Sequence, residues 1–193
     1  MDECHIDALC MPSHKGLLGP QGAGLAIFSE RVYPKAVISG GSGAFSRELE
    51  MPAFLPDRLE AGTMPTPAVA GLCEGLSYVM KRGERDIFEK ESKIIDRIRN
   101  AFFCDRRIFT YSEGEGAIWL FNIRGVPSQT VAALLDEKGI CVRPGLHCAP
   151  LAHKALGTPE DGAVRVSAGP LTEAWQADHF IRALSGILRT LPD

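Results

Sequence analysis

The sequence predicts an α/β protein built from two parts. Two short apolar segments flank a glycine-rich connection near the start, two amphipathic helical patterns follow in the middle, and strand and helix patterns alternate after them. The chain has 193 residues, a length that suits one medium domain or one and a half small ones. We predict a domain boundary near residue 85, inside the second helix, which gives parts 1–85 and 86–193.

The first part is predicted to contain two strands, a long loop and a helix. Residues 8–11 are predicted as a short buried strand and residues 25–28 as a second strand. Glycines and prolines punctuate residues 40–62, which is typical of a long functional or disordered loop. A helix is expected between Pro67 and Gly83, because apolar residues recur there at helical spacing. Its predicted inner face comprises Val69, Leu72, Cys73, Leu76, Val79 and Met80.

The second part is predicted to alternate helices and strands. Gly139 is expected to end a helix, because glycine readily adopts the left-handed conformation found after helix C-termini. Thr172 is expected to cap the last helix. The predicted helices are 84–102, 128–138 and a final one after Thr172, and the predicted strands are 117–123, 140–143 and 163–167.

Composition argues against several classes of function. The net charge of −3 gives no electrostatic reason to expect nucleic acid or an anionic membrane as a partner. No apolar run approaches the roughly 20 residues that span a bilayer, and the N-terminus has no basic or apolar signal region. The six cysteines form no Cys-x-x-Cys pair, which argues against a metal site and against a disulfide framework. We therefore expect a cytoplasmic protein with reduced thiols.

The first candidate site is the segment His-Lys-Gly-Leu-Leu-Gly-Pro-Gln-Gly at residues 14–22. A lysine in a glycine-lined turn after a buried strand can be desolvated, which favours the neutral amine that adds to a carbonyl. From spacing alone, Lys15 could equally be an ordinary surface lysine with His14 beside it.

The second candidate site is Arg-Leu-Glu-Ala-Gly-Thr at residues 58–63. The backbone of Gly62 and the hydroxyl of Thr63 come just before the predicted helix, where a phosphate could bind. The competing interpretation is that Thr63 only caps the helix.

The third candidate site is Val-Arg-Pro-Gly-Leu-His-Cys at residues 142–148. Cys148 follows a histidine in a loop bounded by glycine and proline, a setting that can expose a thiol and favour the reactive thiolate. The alternative is a buried, unreactive cysteine. We assign the other cysteines to packing, except Cys4, which lies too near the terminus to assign.

The fourth candidate is Arg165, in the middle of the apolar segment Val-Arg-Val-Ser at residues 164–167. A charged side chain at such a position needs a partner or an open face. Either a substrate carboxylate or a structural ion pair with an acidic residue would provide the partner.

Together and in this order, the four motifs resemble class V aminotransferase-fold enzymes of the cysteine desulfurase and selenocysteine lyase family. The family pattern is similar to His-Lys-Gly-x-x-Gly-Pro-x-Gly, Arg-x-Glu-Ala-Gly-Thr, Val-Arg-x-Gly-x-His-Cys and Val-Arg-x-Ser. The resemblance implies the pyridoxal-phosphate-dependent transferase fold of type I. Residues 1–85 would then be the C-terminal part of the large cofactor-binding domain, and residues 86–193 the small C-terminal α+β domain.

The resemblance also implies pyridoxal 5'-phosphate as cofactor and L-cysteine or a similar amino acid as substrate. Lys15 would hold the cofactor covalently and move protons at the substrate Cα, with His14 shaping the pocket. Gly62 and Thr63 would contact the cofactor phosphate, in this family typically across a homodimer.

Two further roles follow from the same resemblance. Cys148 would attack the sulfur of the substrate and keep it as a persulfide while alanine leaves, and a sulfur-acceptor protein could then collect the sulfur. Arg165 would anchor the substrate carboxylate.

The sequence departs from the family in length, because family members carry another half-chain before the region that resembles this one. That half supplies a residue that stacks on the cofactor ring, an Asp for the ring nitrogen and much of the phosphate cradle. Asp2 and Asp7 do not sit in that motif and are not assigned this role. We therefore expect the chain by itself to bind the cofactor weakly or not at all. We also expect residues 1–85 to expose apolar surface, so that the chain aggregates, dimerises or needs a partner.

Several alternatives remain open at this level. The chain could belong to a selenocysteine lyase or to an aminotransferase of the same fold, although simple transamination needs no thiol at Cys148. It could also be a non-catalytic remnant or one subunit of a split enzyme. The sequence leaves open whether the chain is a natural fragment or a truncated gene product.

Overall fold

The chain forms two compact units, described here from a computed structural model that covers residues 1–45, 47–112 and 116–191. The units are Met1–Arg82 and Gly83–Asp193. The division falls at Gly83, where a φ of 88° separates two helices, whereas the predicted boundary lies slightly later, inside the second helix. Among the residues described, none of the helices combines the length and apolar character that a bilayer crossing requires.

The first unit contains a hairpin, a long irregular segment and one helix. Strands β1 (Ala8–Pro12) and β2 (Gly24–Phe28) pair antiparallel, with Ala8 opposite Phe28 and Pro12 opposite Gly24. No helix or strand occurs in the described residues between β2 and helix α1 (Thr66–Arg82), as predicted for the long loop. The expectation that the first strand is buried is wrong, because its residues are exposed or only half-buried.

Helix α1 buries little of its predicted inner face. Only Leu72 and Gly75 are buried, and Met80 is 82% exposed. The helical spacing was read correctly, but the first unit by itself does not provide a surface that covers the apolar stripe.

The second unit is a three-stranded antiparallel sheet packed with helices. Its elements in chain order are α2 (Glu84–Ala101), β3 (Ile108–Thr110), β4 (Ile118–Ile123), α3 (Ser128–Asp136), α4 (Pro150–Leu156), β5 (Val164–Ser167) and α5 (Ala174–Thr190). The sheet has the order β3-β4-β5, so that the central strand β4 pairs with both neighbours.

The core of the second unit is built around β4. Trp119 and Phe121 are fully buried and stack with ring centroids 4.2 Å apart. Ile95 of α2 and Leu184 of α5 belong to the same buried cluster, and α2 packs on α5. Burial of aromatic side chains contributes most to cores of this size, so this unit holds its elements in place by its own packing.

Two predictions for the second unit are wrong in detail. Residues 140–143 are not a strand, because the N–H of Ile140 donates to the carbonyl of Leu135 and completes the end of α3. Only Arg143 forms an isolated bridge, to Arg165. The last helix is capped by Glu173 through a capping box with Gln176, rather than by Thr172. The prediction for Gly139 is confirmed, since its φ of 73° ends α3.

Candidate functional site

Lys15 lies in the connection between β1 and β2. Ser13, at the start of this turn, is fully buried; its N–H donates to the Ala23 carbonyl at 3.1 Å and its hydroxyl donates to the Pro20 carbonyl. The N–H of Leu18 donates to the Lys15 carbonyl at 3.0 Å. These bonds fix the backbone on both sides of Lys15 while its side chain is exposed, so the described residues of this chain do not desolvate the amine as expected. His14 is exposed as well.

Helix α1 supports the lysine turn at close range. A methyl group at Gly75 would overlap the carbonyl oxygen of Leu17, and one at Gly19 would lie 2.9 Å from the Cα of Leu72. Glycines therefore let the turn and the helix approach backbone to backbone. Gly19 in the glycine-rich connection therefore has a packing role against helix α1.

Gly62 and Thr63 end the long irregular segment, just before α1. Gly62 has a φ of 92°, and its N–H donates to the Gly41 carbonyl at 2.7 Å, which closes the loop that begins near residue 40. Thr63 is exposed and lies three residues before Thr66, the first residue of α1. The interpretation of Thr63 as the helix cap is therefore wrong, and its hydroxyl is left accessible to another group.

Arg58, the first residue of the same motif, anchors this loop. Its guanidinium carbon lies 3.6 Å from the centroid of the Tyr33 ring, and the guanidinium donates a hydrogen bond to the Tyr33 hydroxyl. The Tyr33 hydroxyl in turn donates to the carbonyl of Ala53 at 2.9 Å. Stacking and hydrogen bonding together make this arginine a structural support for the Gly-Thr segment.

The cofactor implied by the resemblance fits the residues present in the first unit. A primary amine that an aldehyde can reach is supplied by Lys15, and an accessible hydroxyl is supplied by Thr63. The amine attaches an aldehyde covalently, and hydroxyl groups before a helix are ordinary phosphate ligands.

Cys148 lies in a tight turn of the second unit, between Gly145 and helix α4. The residues His147 and Cys148 have φ values of 54° and 58°, so two consecutive non-glycine residues adopt the left-handed conformation. Such backbone persists only where its surroundings hold it in place, and it is enriched at functional sites. The N–H of Ala149 donates to the Leu146 carbonyl at 2.8 Å and closes the turn. Cys148 is exposed, so the alternative in which its thiol is buried is wrong.

The ring of His147 joins a chain of hydrogen bonds beside Cys148. Its Nε2 lies 2.8 Å from the Arg143 carbonyl oxygen, and its Nδ1 lies 2.9 Å from Nε2 of His153. Nδ1 of His153 lies 2.9 Å from the Thr158 hydroxyl. Burial lowers the pKa of His147 below its ordinary value of 6.5, and the charges of Arg165 and Arg143 add to this effect, although the bond to the Arg143 carbonyl opposes it.

Arg165 lies in β5, next to the segment that carries Cys148. Its N–H donates to the Arg143 carbonyl at 2.8 Å, and the N–H of Arg143 donates back at 3.1 Å. The buried Nε of Arg165 has no hydrogen-bond partner, and the described residues offer it no ion pair. A buried guanidinium N–H without an acceptor is costly, which favours a ligand over the structural ion pair considered from the sequence.

The second unit thus places two of the predicted site residues, Cys148 and Arg165, on neighbouring segments, which are joined by the backbone pairing of Arg143 with Arg165. Lys15, Gly62 and Thr63 lie in the first unit. The prediction that four further cysteines are packed is wrong, since all six thiols are free and exposed; the four are Cys10, Cys73, Cys104 and Cys141.

Sequence reasoning missed the side chains that support the site. Ser13, Tyr33, His153 and Thr158 were not singled out, although they hold the segments that carry the predicted residues. One signal was available for His153, which follows Cys148 by five residues in a segment with two of the five histidines of the chain.

Comparison with known proteins gives a consistent result. The family model for aminotransferase class-V matches residues 1–180. The chain is 32% identical over 83% of its length to a probable cysteine desulfurase of Methanothermobacter thermautotrophicus, covering 42% of that protein. It is 30% identical over 99% of its length to a probable cysteine desulfurase of Pseudomonas putida, covering 48% of that protein. The chain therefore spans about half the length of the curated relatives it matches.

The solved structures agree with the sequence relatives. The apo cysteine desulfurase from Thermococcus onnurineus is 26% identical, with a TM-score of 0.85 over 98% of this chain and 49% of that one. The fold predicted from the resemblance, that of pyridoxal-phosphate-dependent transferases of type I, is confirmed. The chain belongs to the aminotransferase class-V family, whose members depend on pyridoxal phosphate.

Proposed function

We propose that this chain supplies the C-terminal half of a pyridoxal-phosphate-dependent cysteine desulfurase. The observation that carries the proposal is the pairing of an exposed thiol, Cys148, with a partnerless buried guanidinium nitrogen, Arg165 Nε, on neighbouring segments of one unit. A thiol and an arginine placed this way suit a substrate that carries both a sulfur atom and a carboxylate.

In this proposal Arg165 binds the carboxylate of L-cysteine or a similar amino acid. A carboxylate accepts hydrogen bonds from the fork of a guanidinium, and a charge-assisted bond would satisfy the buried Nε. Anchoring the carboxylate on β5 would fix the substrate relative to the turn that carries Cys148.

Residues of the first unit would hold the cofactor. Lys15 would attach it covalently, Gly62 and Thr63 would contact its phosphate, and His14 would line the pocket. When bound, pyridoxal phosphate supplies an electron sink for the carbon atoms of an amino acid. Lys15, freed from the cofactor by the incoming substrate, would then move a proton at the substrate Cα.

Cys148 would accept the sulfur atom. The bond between the substrate sulfur and its Cβ would break, and a new bond would form between that sulfur and Sγ of Cys148. The electron pair of the broken bond would stay with Cβ, which would take up the proton given by the thiol, so that the products are alanine and a persulfide on Cys148. The exposure of Cys148 supports this role, because the thiol must first reach the substrate and then a sulfur acceptor.

The proposed partners follow from this chemistry. We propose a homodimer, in which Thr63 reaches the cofactor of the neighbouring subunit, and a sulfur-acceptor protein that collects the persulfide. A cytoplasmic location is proposed because all six cysteines are free thiols.

Capture of the cofactor by Lys15 tests the proposal. The chain should be expressed alone and together with the coding sequence immediately upstream, then mixed with pyridoxal phosphate, reduced with borohydride and mapped by mass spectrometry. We expect weak or no capture by the chain alone, and specific capture at Lys15 in the joint product. Lys35→Ala, at an exposed lysine of the same unit, serves as the matched control for Lys15→Ala. Capture spread over many lysines in the joint product would contradict the proposal.

The half-length coverage of the relatives favours one other function, that of a non-catalytic remnant or one subunit of a split enzyme. An upstream sequence that encodes no in-frame complement would support this second candidate. Within the enzymatic proposal, a comparison of sulfide release from cysteine with selenide release from selenocysteine separates a cysteine desulfurase from a selenocysteine lyase. The comparison is made for the wild type and for Cys148→Ala. An aminotransferase would keep its full activity in Cys148→Ala.

A further inference from the structure

The hydrogen bonds around His147 have only one direction when both histidines are neutral. The carbonyl oxygen of Arg143 can only accept, so Nε2 of His147 carries the proton in the 2.8 Å contact. Nδ1 of His147 must then accept, and the donor at 2.9 Å is Nε2–H of His153. Nδ1 of His153 accepts in its turn from the Thr158 hydroxyl at 2.9 Å. Each of these three hydrogen bonds therefore contains one hydrogen atom between its donor and its acceptor.

This chain connects a buried residue of α4 to the turn that carries Cys148. His153 is only 4% exposed, and the N–H of Thr158 donates to its carbonyl at 3.2 Å, just after the left-handed Gly157 that ends the helix. His147, at the other end, occupies the left-handed backbone next to Cys148. A short support anchored on the buried His153 therefore holds a turn whose backbone conformation is unfavourable by itself.

A second proton would disrupt this arrangement. If Nδ1 of His147 became protonated, two hydrogens would meet in the 2.9 Å gap unless His153 changed its tautomer. If His153 changed its tautomer, its Nδ1 would carry a hydrogen and could no longer accept from Thr158. The Thr158 hydroxyl would have to donate instead to the carbonyl of His153 or of Pro159, both 3.4 Å away. The charged and titratable groups that act on His147 are Arg165 of β5, Arg143 of the adjoining segment and His153 of α4.

We propose that His153 and Thr158 are positioning residues, which hold His147 in its Nε2-protonated tautomer and thereby fix the turn that presents Cys148. The significance for sulfur transfer rests on the proposed function, but the arrangement itself does not. Neither residue needs to touch the substrate, because both act through the ring of His147. The lowered pKa of His147 agrees with a neutral ring in this position.

Nitrogen-15 NMR of the histidine rings in the full chain tests the proposal, and it needs neither cofactor nor substrate. Wild type should show His147 and His153 protonated at Nε2 and bare at Nδ1. His153→Phe, which keeps a ring but removes the donor, and Thr158→Val, which keeps the shape but removes the hydroxyl, should both raise the pKa of His147. Thr158→Ser, which restores the hydroxyl, should behave as wild type. His179→Phe is the matched control, since among the described residues the ring of His179 bonds the Lys138 carbonyl and neither His147 nor His153.

Hydrogen exchange at Ala149 reports on the turn itself, because the bond from its amide to the Leu146 carbonyl closes it. We expect exchange to accelerate roughly five-fold in His153→Phe and Thr158→Val, the effect of one lost hydrogen bond, and to stay unchanged in Thr158→Ser and His179→Phe. A wild-type His147 protonated at Nδ1, or a pKa of His147 that neither variant raises, would overturn the proposal. A failure of sulfur transfer with these tautomers intact would instead count against the proposed function alone.

Discussion

The two compact units differ in what they bury. In the described residues, eighteen of the nineteen buried apolar side chains lie in the second unit, and only Leu72 lies in the first. The first unit exposes large apolar side chains almost completely, with Val37 at 97% and Leu49 at 102%. Its fold is a hairpin, a long irregular segment and one helix, held by backbone hydrogen bonds and close glycine contacts.

The candidate residues of the two units are therefore held in place in different ways. The turn with Cys148 belongs to a unit with its own aromatic core. The turn with Lys15 belongs to a unit that leaves large apolar side chains exposed, as expected from the sequence for residues 1–85.

The largest expected effect comes from the core of the second unit. Trp119→Ala should lower the free energy of unfolding by about 3–5 kcal/mol, because it removes a fully buried ring stacked on Phe121. Trp175→Ala, at a tryptophan 64% exposed in the same unit, should change it by less than about 0.5 kcal/mol. Urea denaturation followed by circular dichroism gives both values. Similar losses in the two variants would mean that the second unit has no core of the kind described.

A smaller effect is expected where α1 meets the lysine turn. Gly75→Ala should destabilise the first unit by about 1–3 kcal/mol, because the added methyl group overlaps the Leu17 carbonyl. Exchange of the Leu18 amide, which bonds the Lys15 carbonyl, should accelerate accordingly. Gly186→Ala in α5 meets no atom within 4 Å and should stabilise its helix by up to about 1 kcal/mol. A Gly75→Ala protein with unchanged exchange at Leu18 would show that the turn does not depend on this close approach.

A pH effect is expected in the second unit. Burial keeps the pKa of His147 below its ordinary 6.5, so the unfolded chain binds a proton more readily than the folded one. The contribution of His147 to stability is therefore present above the ordinary pKa and is lost as the pH falls through the lowered one. Thermal melts should show a smaller loss on acidification in His147→Gln than in wild type. An identical loss in both proteins would remove His147 as the cause.

The smallest effect on stability is expected from the exposed face of the first unit. Leu49→Ser should change the free energy of unfolding by less than about 0.5 kcal/mol, because the side chain is fully exposed. The same substitution should nevertheless reduce self-association on size-exclusion chromatography, because it removes a large apolar side chain from the exposed surface of the first unit. A wild-type chain that elutes as a well-folded monomer at high concentration would contradict the view that the first unit needs a cover.

Sequence patterns predicted those parts of the fold that depend on local chemistry. The final helix after Thr172 and the left-handed Gly139 were predicted correctly, because they depend on side-chain spacing and on a single residue, respectively. Residues 140–143 read as a strand only because their composition is apolar, and the backbone bond that closes α3 cannot be seen in a sequence. The prediction that residues 8–11 are buried is wrong for another reason. Burial depends on a surface that packs against the strand, and no described part of this chain covers it.

For the candidate site, the motifs predicted Lys15, Thr63, Cys148 and Arg165, but not the residues that hold them in place. The partnerless Nε of Arg165 follows from three-dimensional packing, as does the contact of His147 with a histidine six residues later. The sequence motifs indicate which side chains can react, whereas the hydrogen bonds of the structure show which backbone and ring conformations are fixed.

The most direct measurement is the mass of the Cys148 peptide after the joint product, loaded with pyridoxal phosphate, is incubated with L-cysteine and its thiols are blocked. The account predicts one added sulfur atom on Cys148 and none on Cys104 or Cys141, although all three thiols are exposed. Added sulfur distributed equally over the exposed cysteines, or full alanine production by Cys148→Ala, would contradict it.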